Sequence, residues 1–252
     1  MMHFFDILTS TEGWLYLLIL TVLEIVLGID NIIFISIVTD KLPAESKRKA
    51  RNIGLSLALI IRLLLLTMVS WIMQMTEPIF TLLGNEFTGQ KIVLLLGGLF
   101  LIYKSTVEMH KNVKGSEEGA AKKTKTSMIG IISQILIIDI IFSFDSIISA
   151  IGMTNGLGQE TQQNPIIIIY LSIIISLVVM MIFASHISKF ISTYPSIKMI
   201  ALSFLITIGV LLVAESFGQE IPKGYIYFAF VYSLLVELLN IRMRRNERKT
   251  GK

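Results

Sequence analysis

Leu23-Glu24-Ile25-Val26-Leu27-Gly28-Ile29-Asp30-Asn31-Ile32-Ile33 is echoed 115 residues later by Ile138-Asp139-Ile140-Ile141-Phe142-Ser143-Phe144-Asp145-Ser146-Ile147-Ile148. Both stretches read apolar, acid, five residues, Asp, small polar, Ile, Ile. Each sits inside an apolar run long enough to cross a bilayer, which takes roughly 20 residues as a helix. Working outward, seven such runs are legible: 14–38, 53–75, 91–110, 127–151, 165–184, 197–214 and 224–241. They are continuously apolar, not alternating, so a transmembrane β-barrel does not fit. With 54% hydrophobic and 16% charged residues, the chain is far from the ~25% charged average of soluble domains. The fold class read from this is all-α, a polytopic membrane protein of seven transmembrane helices.

Charge placement gives the orientation. Lys41, Lys47, Arg48, Lys49 and Arg51 follow span one; Lys111, Lys114, Lys122, Lys123 and Lys125 follow span three. Lys189 and Lys198 follow span five, and Arg242, Arg244, Arg245, Arg248, Lys249 and Lys252 follow span seven. Of the other basic residues, Lys91 and Lys223 lie at span ends on the opposite side, and Arg62 and Lys104 lie within spans. The positive-inside rule then puts the N-terminus outside and the C-terminus in the cytoplasm, the arrangement an odd span count requires. The pI near 9.2 is therefore a topology signal, not that of a nucleic-acid binder. No Lys or Arg precedes span one, and that span is longer than a signal-peptide core, so no cleavage is expected.

Spans one and four are separated by three crossings and so run in opposite directions. The expected organisation is one transporter domain over 1–252: repeat one at 14–110, a lysine-rich cytoplasmic linker at 111–126, repeat two at 127–214, a last helix at 224–241 and a basic tail at 242–252. Inverted repeats of this kind carry midplane substrate sites in many secondary transporters.

Four acids in hydrocarbon need an explanation, since each costs about 2.5–3.5 kcal/mol at the bilayer centre. Arg62 and Lys104 are the cations within spans, and two cations cannot neutralise Glu24, Asp30, Asp139 and Asp145 together. Glu24 and Asn31, seven apart, share a helix face; Glu24 and Asp30 are about 120° apart around a regular helix. Local breaks near Gly28 and Ser143 are expected, to let the acids converge. Carboxylates with Asn31 and Ser146 make a hard, oxygen-only ligand set, suited to Mg²⁺, Ca²⁺ or Mn²⁺. There is no cysteine, and the twelve methionines read as lipid-facing or packing residues. No catalytic residue and no resident cofactor are expected. An intramembrane aspartyl protease is disfavoured because the residues before Asp30 and Asp145 are not Gly-x-Gly.

At these residues the sequence resembles the TerC family of integral membrane proteins. The likeness rests on Glu24-x5-Asp30-Asn31, Thr39-Asp40-Lys41-Leu42-Pro43, Arg62, Gly97-Gly98-Leu99-Phe100-Leu101-Ile102-Tyr103-Lys104, Pro222-Lys223-Gly224-Tyr225-Ile226-Tyr227 and Glu237-Leu238-Leu239-Asn240. The family belongs to a broader group of LysE-like transporters. The resemblance implies export of Mn²⁺ across a bacterial inner membrane, with Glu24, Asp30, Asn31, Asp139, Asp145 and Ser146 as the ion site. It also implies a proton or gating role for Glu237 and Asn240, for which a helix-packing pair is the alternative. Lys104 is expected to be an internal counter-cation, or else to snorkel to the interface; Arg62 joins it as a gating candidate. His110, beside Glu108, reads as an interfacial histidine. Competing functions are export of a cationic amino acid or similar solute, and partnership with protein-secretion machinery through the lysine-rich loops.

Overall fold

The computed structural model describes residues 9–68, 78–82, 85–114, 127–161, 166–219 and 221–250; the Asp145 side chain lies outside the described set. Seven helices carry the chain: α1 (Thr11–Thr39), α2 (Ala44–Thr67), α3 (Gly89–Lys114), α4 (Met128–Thr161), α5 (Ile166–Thr193), α6 (Pro195–Ser216) and α7 (Lys223–Thr250). Among the described residues, these seven are long and apolar enough to cross a membrane. The seven spans expected from hydropathy are therefore present as helices.

Several boundaries differ from the hydropathy reading. Helix α2 begins at Ala44, not 53, so Lys47, Arg48, Lys49 and Arg51 are helical and not in a connection. Residues 69–75, assigned to span two by the sequence, lie outside the described residues, as do 115–126 of the expected linker. Helix α4 runs past 151 to Thr161, and α7 continues through Thr250, so most of the basic tail is an extension of the last helix. Hydropathy marks only the part of a helix that contacts hydrocarbon. Backbone hydrogen bonding carries the helix on into the interface, where charged residues cost nothing.

A further element was not foreseen. Strands β1 (Pro78–Leu82) and β2 (Asn85–Thr88) pair as a two-stranded hairpin before α3. Phe80 stacks on Phe87 at 5.3 Å, and Phe87 meets the edge of Phe217 at 5.7 Å. Aromatic packing, not strand periodicity, holds this ribbon.

The chain divides into two compact units. The first contains α1, α2, α4 and most of α5. Helix α1 buries Gly13, Leu17, Leu20, Glu24 and Gly28 along one side of its first half, then every residue from Asp30 to Thr39. A helix apolar all round and buried all round is a core helix, with few lipid contacts along that half. Ser10 caps its start by accepting from the Gly13 N–H, and beyond its end Asp40 pairs with Lys47 of α2 at 2.6 Å. Helix α2 presents Ala50, Gly54, Ala58, Arg62 and Leu66 at four-residue steps; α4 presents Ile131, Ile135, Asp139, Ser143 and Ile147 likewise. Small residues on α2 let the two backbones approach, and a Cβ on Gly54 would lie 2.9 Å from Ile135 Cδ1.

The second unit contains most of the hairpin and α3 together with α6 and α7. Helix α6 buries Ile197, Ala201, Leu205, Ile208 and Leu212, and Phe204 stacks on Phe230 of α7 at 4.1 Å. Helix α7 leaves Tyr225, Phe228, Tyr232, Leu235 and Leu239 exposed. Helices α3 and α6 touch backbone to backbone. A Cβ on Gly98 would lie 2.6 Å from the Gly209 carbonyl oxygen, and one on Gly209 would lie 2.9 Å from the Gly98 carbonyl oxygen. Carbonyls cannot rotate away as side chains do. Gly98→Val is therefore expected to cost about 1–3 kcal/mol by overpacking, read as a lowered unfolding midpoint of the detergent-solubilised protein. An unchanged midpoint would show that the helices do not meet at this point.

Candidate functional site

Arg62 lies between the two acids that the repeated motif places first. Its Nε donates to Asp139 Oδ1 and Oδ2 at 3.1 and 3.2 Å, and its Nη2 donates to Oδ1 at 2.6 Å. Its Nη1 donates to Glu24 Oε2 at 3.1 Å. All three residues are at most 3% exposed. A planar guanidinium suits such a bridge, because its fork addresses one carboxylate with two nitrogens and still offers the third to another.

Helix register brings these groups together. Gly54 meets Ile135 and, farther along, Arg62 meets Asp139, so α2 and α4 run parallel. On α1, Glu24 lies beside Ser146, and Asn31 Nδ2 donates to Asp139 Oδ1 at 3.1 Å. As α1 ascends from Glu24 to Asn31, its partners on α4 descend from Ser146 to Asp139, so this pair is antiparallel. Each acid thus faces the small polar residue of the other copy of the motif.

The two acids are unequally satisfied. Asp139 accepts from Arg62 and Asn31, with the Ser143 hydroxyl 3.4 Å from its Oδ2. Glu24 Oε1 and Asn31 Oδ1 are buried oxygens with no hydrogen-bond donor. An unmet buried acceptor costs about 1–3 kcal/mol, more when charged. Asp30, 2% exposed, is held in the wholly buried half of α1, although it lies on a different side of that helix from Glu24.

The expected breaks in the helices are absent. Both α1 and α4 continue as regular α-helix through Gly28–Asn31 and Ser143–Ser146. Gly28 serves close packing instead: a Cβ there would collide with the sulfur of Met180, on α5. Ser143 stays within the helix and turns its hydroxyl toward Asp139.

Of the predicted site residues, the structure thus brings together Glu24, Asn31, Asp139 and Ser146, with Arg62 among them, and buries Asp30 nearby along α1. Asp145 lies on α4 with its side chain outside the described residues. Among the described residues, no three His, Asp or Glu side chains form a ready-made metal cage. Lys104, in the second unit, holds its ammonium 5.7 Å from the Phe100 ring centroid. Glu237 and Asn240 bond to one another along α7 at 3.3 Å, with Ser196 of α6 beside Glu237. His110 is exposed and Glu108 buried near the end of α3.

A family model for the integral membrane protein TerC family matches residues 9–252. The chain belongs to the TerC family. Among curated relatives, a UPF0053 protein of Haemophilus influenzae is 45% identical over 242 residues, covering 96% of this chain and 98% of that protein. The UPF0053 inner membrane protein YgdQ of Escherichia coli is 46% identical over 240 residues, covering 95% of this chain and 97% of the relative. The larger E. coli UPF0053 inner membrane protein YoaE is 42% identical over 242 residues, which cover 96% of this chain and 45% of YoaE. No solved structure matches this TerC-family chain.

Proposed function

We propose that this protein is a multi-pass inner membrane exporter of a hard divalent cation, with Mn²⁺ as the preferred substrate. One observation carries the reading: two buried carboxylates, Glu24 and Asp139, one from each copy of the motif, are gathered about Arg62. Glu24 Oε1 and Asn31 Oδ1 provide oxygen acceptors with no competing donor. Oxygen ligands of this kind suit Mn²⁺, Mg²⁺ and Ca²⁺; the resemblance drawn from the sequence motifs implies Mn²⁺ among them.

In this reading Arg62 takes the counter-cation role that the sequence reading gave to Lys104. It holds Glu24 and Asp139 together in the absence of substrate and swings aside when the metal arrives. The reciprocal pairings Glu24 with Ser146 and Asn31 with Asp139 support an inverted repeat. A two-fold axis in the membrane plane generates such mutual contacts between equivalent helices. The basic connections then face the cytoplasm, with the N-terminus outside. Export of a dication against the membrane potential costs about 2.3 kcal/mol per charge per 100 mV, so exchange for an inward-moving ion drives it.

The test is cellular Mn²⁺ content in bacteria deleted for their own manganese exporters. Expression of this protein is expected to lower accumulated Mn²⁺ and restore growth in excess manganese. Unchanged content at verified membrane expression overturns Mn²⁺ export and moves Ca²⁺, Mg²⁺ and the secretion-partner alternative ahead.

A further inference from the structure

Helix α5 contributes no acid to the site, yet it packs Met180 against Gly28 on the site-bearing face of α1. Met180 is 2% exposed, and its Sδ lies where a Cβ of residue 28 would be, with its Cε 3.0 Å from that point. Glu24, Gly28 and Asn31 succeed one another at steps of four and three on one face of α1. Neighbours at these steps have Cβ positions about 5–6 Å apart. The sulfur therefore sits on the helix surface between the roots of Glu24 and Asn31. Those are the two side chains whose Oε1 and Oδ1 are buried without a donor. Ser172 and Ser176 precede Met180 at four-residue steps and are fully buried. Their hydroxyls donate to their own helix, to the Ile169 and Ile173 carbonyls, leaving oxygen lone pairs open.

Simple packing does not require this arrangement. A glycine at 28 leaves the groove, and many apolar side chains would fill it; a thioether is the one that is also a ligand. From these contacts we infer that Met180 is a specificity-determining residue, supplying a soft sulfur contact to a site otherwise made of oxygen. This rests on the divalent-cation reading above and refines it. Oxygen-only sites favour Mg²⁺ and Ca²⁺ as readily as Mn²⁺, whereas sulfur adds affinity for softer, more polarizable ions. The site then rejects the abundant alkaline-earth ions by failing to gain from its sulfur, and accepts Mn²⁺ and Cd²⁺.

The experiment uses the full-length protein in liposomes, with flux of Mn²⁺, Cd²⁺, Mg²⁺ and Ca²⁺ measured separately. Met180→Leu keeps the volume and removes the sulfur. The expected result is a fall of roughly 10–100-fold in the preference for Mn²⁺ and Cd²⁺ over Mg²⁺ and Ca²⁺, the scale typical of lost supporting partners at metal sites. Mg²⁺ flux should be kept or raised. Equal loss for all four ions, or unchanged ratios, overturns the role of Met180 while leaving the exporter intact. Failure of the unsubstituted protein to move any of the four ions overturns the exporter reading itself. X-ray absorption at the cadmium edge of the unsubstituted, Cd²⁺-loaded protein asks the question without any mutation. A sulfur neighbour in the metal's inner shell supports the inference, and a shell of oxygen alone defeats it.

Discussion

Arg62→Met is expected to destabilise the protein by about 3–5 kcal/mol, the usual cost of stripping one partner from a buried ion pair. The reason lies less in the lost hydrogen bonds than in what they leave behind. Glu24 and Asp139, both nearly inaccessible to solvent, would face each other with the bridging guanidinium gone. If the site takes a divalent cation, the metal can stand in for the missing charge. Thermal unfolding in detergent should then show a large upward shift of the Arg62→Met variant on adding Mn²⁺, and a smaller one for the parent, whose Arg62 competes. Adding Glu24→Gln and Asp139→Asn to Arg62→Met should restore much of the stability and abolish both the Mn²⁺ response and transport. Equal Mn²⁺ shifts in parent and Arg62→Met would show that arginine and metal do not share a place.

Asp30→Asn and Asp145→Asn are each expected to reduce export to the level of cells without the protein, at equal amounts of protein in the membrane. Lost transport with retained stability is the mark of an acid kept for function. Asp139→Asn differs: it also weakens the contact to Arg62, so it should lose stability and transport together. Manganese accumulation and midpoint measurements on the three variants separate these cases. Full export by Asp30→Asn and Asp145→Asn would remove both residues from the ion path.

The seven spans, their continuous apolarity and the repeated acid motif were open to reading from the residues alone. Transfer from water to hydrocarbon is a local property, additive over about 20 neighbouring side chains, so it needs no knowledge of the fold. The requirement that Glu24, Asp30 and Asp139 be buried from lipid followed in the same way, and Glu24 and Asn31 could be set on one face from helical geometry. The extension of α2 back to Ala44 and of α7 on to Thr250 was missed because charged helix ends carry no apolar signal.

Which partners the buried acids choose was decided only by the tertiary structure. Arg62 and Lys104 are both intramembrane cations in the sequence, and nothing there selects Arg62 over Lys104 as the counter-cation. The four-residue stripe Ala50, Gly54, Ala58 sets α2 close along α4, and that register presents Arg62 to Asp139. Gly28 looked like a helix break because glycine is permissive in an isolated chain. With the Met180 sulfur packed on it, glycine instead allows an unbroken helix to accept a close neighbour. Met180 itself carried no sequence signal beyond its spacing from Ser172 and Ser176, and the β1–β2 hairpin depends on Phe80, Phe87 and Phe217 meeting across the chain. Such contacts join residues far apart in sequence, and shape complementarity between whole helices selects them. A string of side-chain hydropathies contains what must be hidden from lipid, but not what it will be hidden against.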